Sequence, residues 1–298
     1  MKKLIKLLSL SILTMTILSS CVNNVPSEPE DPIYANGVKE ITIGDFKITA
    51  KGDTDRIYKS SDNELILISK VDVDTLNPDG TEPDAPEYDL EGTFDGQIIN
   101  KTKGSVLNLN NVTLTNTGAP AIYGEKKIEI KAGKKTNNSI SVTGSSDEKI
   151  GAITCNKKIE LGGSGNITIN SSLFHGIKAD DIQIKGSGTH EISGTNTEGS
   201  AINCNALEVK TSDKVVTVTF KNFRHGIKAD KTISIQSGKF IFDESIVVPM
   251  KTDSIEDDGE NDHSILIGSR EYLQFNGGDE QEANIKTDDL QILESITE

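Results

Sequence analysis

Tryptophan is absent from the 298 residues, and aromatic residues of all kinds make up only 4% of them. Broad ring platforms, the usual means of docking flat sugar faces, are therefore lacking, which argues against a crystalline-cellulose surface as ligand. Positive charge is also short: 31 Lys and Arg face 46 Asp and Glu, for a net charge of −15. That balance speaks against nucleic acid or an anionic membrane surface as partner. It also leads to the expectation that an acidic ligand needs a bridging cation. There are only eight prolines, six of them at or before Pro86, so the composition changes there.

The start of the chain has its own pattern. Lys2, Lys3 and Lys6 precede a largely apolar stretch, Leu7–Leu18, that is too short to span a bilayer as a helix and has the form of a signal peptide. It ends in Leu18-Ser19-Ser20-Cys21, which resembles a bacterial lipobox. This resemblance implies cleavage after residue 20 and acylation of Cys21; an ordinary secretory signal is the alternative. Two acyl chains would hold the protein stably on a membrane, in the outer membrane or at the cell surface. Residues 21–37, with the run VPSEPEDP, read as a tether.

Further along, the six residues HGIKAD occur twice, at His175–Asp180 and His225–Asp230. Aligned segments begin at Ala121, Ala152, Gly176, Ala201, Gly226, Pro249 and Asn284, and their second residues are spaced 31, 24, 25, 25, 23 and 35. A recurring period near 24 is the mark of a solenoid. Within each repeat apolar residues alternate, as at Ile182/Ile184 and Ile167/Ile169, between Gly, Ser, Asn and Asp turns. The expected fold is all-β: a right-handed parallel β-helix with three strands per coil over residues 96–298. Residues 38–95 are expected to form an N-terminal β cap over its open end, or a small separate β region.

The alignment predicts which way side chains point. Gly124, Cys155, Ala179, Cys204, Ala229, Thr252 and Thr287 form an inward stack. Cys155 and Cys204, two coils apart, would then lie roughly 9–10 Å from each other, too far for a disulfide. His190 is expected to be a core histidine with its hydrogen bonds satisfied. His175 and His225 are expected to support turns or meet solvent rather than bind metal, and Phe174 and Phe223 to be core stacks at a corner.

From Tyr88 onward the chain resembles a known family. YDLEGTFDGQIINKTKGSVLNLNNVTLTNTGAPAIYGEKKIEI is similar to the entry region of bacterial carbohydrate-binding right-handed parallel β-helix proteins. The HGIKAD coils resemble that family's repeated DGIKS(K/D)DDLTI coils, with His175 and His225 in place of the first Asp, and PMKTDSIEDDGENDHSILI resembles its acidic loop. The resemblance implies a pectate-lyase-like shape, bound calcium, and binding of cellulose or acidic plant polysaccharides.

Two outward columns offer the chemistry. One is Tyr123, Thr154, Lys178, Asn203, Lys228, Lys251, Lys286; the other is Glu125, Asn156, Asp180, Asn205, Asp230, Asp253, Asp288. Facing carboxylates destabilise a sheet unless neutralised. Calcium, which takes six to eight oxygen ligands, is one solution, held by Asp180, Asp230 and Asp253 with Asp257 and Asp258 from the neighbouring insertion. Diagonal pairing with the lysines is the other. Lys178, Asn203, Lys228 and Lys251 are the candidate polysaccharide contacts, on an acidic, pectin-like chain or cellulose. A monomeric surface lipoprotein that binds polysaccharide without catalysis is the principal reading. A non-enzymatic adhesive or structural lipoprotein with a protein partner is the alternative. A calcium-dependent lyase is a third, weakened because Lys228 or Lys251 beside carboxylates makes a poor general base.

Overall fold

The computed structural model describes residues 35–71, 76–81, 83–210, 215–253 and 263–292. Nearly all regular structure among them is β, arranged in three long parallel ladders. Each turn of chain adds one strand to every ladder, as in a β-solenoid.

Ladder A contains Glu64–Ile68, Gln97–Asn100, Ile122–Gly124, the first halves of Gly151–Gly163, His175–Ile184, Ser200–Val209 and His225–Ile235, and finally Val248–Thr252. Its inward column is Leu65, Ile98, Ile122, Ile153, Ile177, Ile202, Ile227 and Met250, all fully buried. A bridge from Lys251 to Lys286 extends it by one level. The segments aligned by sequence are thus paired in the expected register. Burying each such side chain is worth roughly 1.5–3 kcal/mol, so a one-residue slip, which would turn the column outward, is strongly disfavoured.

The long strands bend at irregularities between Cys155 and Lys158 and between Cys204 and Ala206, and their second halves enter ladder B. There Leu107, Ile130, Leu161, Ile184, Val209, Ile235 and Ile267 stack inward. Ladder C closes the coil with Phe94, Leu114, Ile140, Ile169, Ile192, Phe220, Phe242 and Phe275 in register. The scarce aromatics are concentrated at its far end: Phe242 lies 5.2 Å from Phe220 and 5.4 Å from Phe275 between ring centroids.

The first strands run differently. Glu40–Ile43 pairs antiparallel with Phe46–Ala50, which pairs antiparallel with Glu87–Asp95, and Arg56–Lys59 pairs antiparallel with Glu64–Ile68. Parallel pairing begins with Glu64–Ile68 against Gln97–Asn100. The stacked rings of Phe46 and Phe94, 4.9 Å apart, join the two kinds of pairing.

The inward small-residue stack has the expected order: Cys155 faces Gly124 and Ala179, Cys204 faces Ala229, and Ala229 faces Thr252. Both cysteines are free and buried. Burial raises the Cys155 thiol to about 11 and pushes the Cys204 thiol higher still, so neither is a ready nucleophile.

The expectation for His190 fails in one respect. The ring is buried in a column between Ile167 and Val218, yet neither nitrogen has a hydrogen-bond partner. Its register neighbours on either side, Ile167 and Val218, are both apolar. Phe223 is a core residue as expected, but Phe174 is only half-buried. It lies edge-on to His175 at 4.8 Å, with the Lys149 ammonium 5.1 Å from its ring centre.

Candidate functional site

The four candidate sugar contacts lie on one face. Lys178, Asn203, Lys228 and Lys251 are register partners on successive strands of ladder A, all half-buried on its outer side. They line a groove of about 360 Å³ together with Lys149, Phe174, His175, Glu198, Ser200, Arg224, His225 and Asp230. The turns leading into ladder A supply the residues that the outward columns alone do not contain. Arg224 and Phe174 each stand immediately before an HGIKAD segment, and that shared position was the available sequence signal for them.

The electrostatics of the groove contrast with the whole chain. Its lining carries Lys149, Lys178, Arg224, Lys228 and Lys251 against Glu198 and Asp230. Burial, reinforced by the neighbouring cations, lowers His175 to about 3 and His225 to about 4. Both rings are therefore neutral at physiological pH. His175 Nδ1 accepts a hydrogen bond from the Ser200 amide at 3.3 Å, tying one coil to the next. The Lys178 ammonium donates to the Lys149 carbonyl at 2.7 Å, which fixes its direction along the groove.

The carboxylates of the second column meet lysines. Lys228 lies 3.9 Å from Asp230 and 3.5 Å from Asp253, and Lys157 lies 3.7 Å from Asp180. The Lys228–Asp253 pair is the diagonal pairing that the sequence admitted as an alternative to calcium; Lys228–Asp230 lies within one strand, and Lys157 stands outside the lysine column. Asp180 and Asp230 are separated by a whole intervening coil, roughly 9–10 Å, too far to share one ion. Among the described residues no group of three or more His, Cys, Asp and Glu is placed to hold a metal ion. A calcium shell of six to eight oxygens therefore does not fit these three aspartates as they stand. Asp257 and Asp258, and the acylation candidate Cys21, lie outside the described residues.

A second trough, about 610 Å³, lies over ladder B. Glu129, Lys131 and Lys185 line part of it. Beside it Glu160, with only 8% of its side chain exposed, is held by Lys127, Lys158 and Lys185 at 2.8, 3.1 and 2.7 Å. Burial opposes ionisation of this carboxyl, but the three ammonium groups prevail and hold it at about 2. Of the lysines lining the trough, Lys131 pairs with Glu129, and Lys185 with Glu129 and Glu160.

Comparison with known proteins adds one finding. A family model described as "Carbohydrate-binding domain-containing protein" matches residues 72–205. The matched segment includes Lys178 and Asn203 and stops before Lys228 and Lys251. No curated protein and no solved structure matches the chain.

Proposed function

We propose that this chain is a surface lipoprotein that binds an acidic polysaccharide on the outer face of ladder A, without catalysing a reaction. In this reading the coil is a right-handed parallel β-helix, the hand that parallel crossovers overwhelmingly adopt. The antiparallel strands between Glu40 and Ile68 cap one end, and Cys21 carries the lipid.

The observation that carries the reading is the convergence of Lys178, Asn203, Lys228 and Lys251 in one groove, on a chain matching a carbohydrate-binding family model. Ammonium and amide groups repeated at each strand spacing, about 4.8 Å, suit the hydroxyls and carboxylates of an extended polymer lying along the axis. Asp230 and Asp253 contribute by positioning Lys228, and Asp180 pairs with Lys157.

Co-sedimentation with insoluble glycans and affinity electrophoresis in soluble ones test this directly. Retention by a uronate-containing polysaccharide, lost in the double variant Lys178→Ala/Lys228→Ala, is the expected outcome. A chain that binds no polysaccharide would remove the proposal and leave adhesion to a protein partner. Unsaturated-uronate absorbance appearing with time would show a lyase instead. For the anchor, metabolic palmitate labelling is expected in the wild type and absent in Cys21→Ser.

A further inference from the structure

We infer that the groove on ladder A takes a two-fold, β-1,4-linked uronan directly on its cations, without a bridging divalent ion. This rests on the proposed polysaccharide binding and specifies the ligand for it.

The first argument is charge. A chain with net charge −15 repels a polyanion at long range, which is why a bridging cation was expected. The groove reverses this locally, with five cationic side chains against Glu198 and Asp230. Both acids are engaged internally: Glu198 with Arg224 at 3.2 Å, and Asp230 with Lys228 at 3.9 Å. These pairs are solvent-accessible and weak, and each ammonium has three donors to distribute. An entering carboxylate can therefore share the same cations.

The second argument is spacing. Lys178 and Lys228 are separated by Asn203 in one column, which roots the two lysines on strands roughly 9–10 Å apart with an amide-bearing side chain between them. In a two-fold β-1,4-linked ribbon each residue is flipped relative to the last. Carboxylates on one edge then recur once per disaccharide, a distance comparable with two coils. The residue between presents hydroxyls on that edge, facing Asn203. A three-fold α-1,4-linked uronan brings a carboxylate back to the same edge only every third residue and does not match. The groove also draws on turns from Lys149 to Lys251, so its long direction follows the solenoid axis.

Calorimetric titration of the full-length protein with a mannuronate hexasaccharide, a galacturonate hexasaccharide and cellohexaose, each with EDTA and with added calcium, tests the inference. The expected result is roughly tenfold tighter binding of the mannuronate chain than of either other sugar, the scale of one charged hydrogen bond. That affinity is unchanged by EDTA and weakened by salt. Lys178→Gln and Lys228→Gln each weaken it by roughly tenfold, while Lys239→Gln, on the outside of ladder C, leaves it unchanged. Equal binding of cellohexaose, preference for the galacturonate chain, or loss in EDTA overturns the inference but leaves polysaccharide binding standing. Failure of all three sugars, together with failure to bind polymeric glycans, overturns both.

Discussion

His190 shows how a single residue can record an unresolved conflict. Its ring points inward in ladder C between Ile167 and Val218, and neither nitrogen meets a hydrogen-bond partner. Burial therefore lowers its pKa to about 4 from an ordinary 6.5. Because the folded pKa lies below the unfolded one, the unfolded chain takes up the proton first as pH falls. The stability associated with the neutral ring is complete above pH 6.5 and is lost towards pH 4. His175 and His225 act in the same direction. Thermal unfolding between pH 7.5 and 4.5 should thus show a falling midpoint. His190→Leu should raise stability by roughly 1–3 kcal/mol at neutral pH, the cost of an unpartnered buried polar group, and flatten part of that slope. An unchanged slope would mean that other groups control it. Glu160 is the opposite case, a buried charge with too many partners to lose. Glu160→Gln leaves three ammonium groups facing one another and should cost roughly 1–2 kcal/mol, below the figure for a fully buried pair because the lysines are partly exposed. Urea denaturation would measure it.

The strand that opens each coil explains why HGIKAD recurs at alternate levels. Gly176 and Gly226 stand in a column with Ala152, Ala201 and Pro249. A Cβ on Gly176 would meet the Ala201 carbonyl oxygen at 2.6 Å and a methyl of Ile192 at 2.4 Å, and one on Gly226 would meet the Pro249 carbonyl at 2.6 Å. The glycine is required by close approach of the next coil. Gly176→Ala should therefore cost roughly 1–3 kcal/mol by overpacking, read as a lowered denaturation midpoint. The same substitution at Gly278, where an added Cβ meets nothing within 4 Å, carries no such clash; its cost is limited to the strain of a positive φ of 68°.

For the whole molecule, stacking makes each coil a removable unit. Ser200 and His225 are register equivalents, so deleting residues 201–225 joins Ser200 to Gly226 with every ladder still in phase. Nearest-neighbour stability predicts a chain that still folds, with a lower melting temperature and an unchanged β-type circular dichroism spectrum. The deletion also brings Lys178 and Lys228 onto adjacent strands, so binding of the mannuronate hexasaccharide should weaken even though both lysines remain. A shortened protein that binds equally well would show that spacing plays no part in recognition.

The sequence by itself determined the period, the all-β character, the register of the aligned segments and the inward column from Ile122 to Met250. Alternation and repetition are local properties of the chain, and stacked parallel strands carry them unchanged into space. It also placed Lys178, Asn203, Lys228 and Lys251 in one outward column, because outward positions on one strand stay outward on the next. Only the tertiary structure decided that Lys149, Phe174 and Arg224 line the same groove as that column: they stand at equivalent repeat positions 25 and 50 residues apart, but the alternation that fixes facing within a strand does not extend to the turns before it. It likewise decided that Lys228 settles between Asp230 and Asp253, and that His190 is left without a partner. Those outcomes depend on which side chains from different coils meet across a ladder. A net charge of −15 conceals a cationic groove for the same reason: total charge is a sum over residues, whereas the field a ligand meets is set by the few that folding places around it.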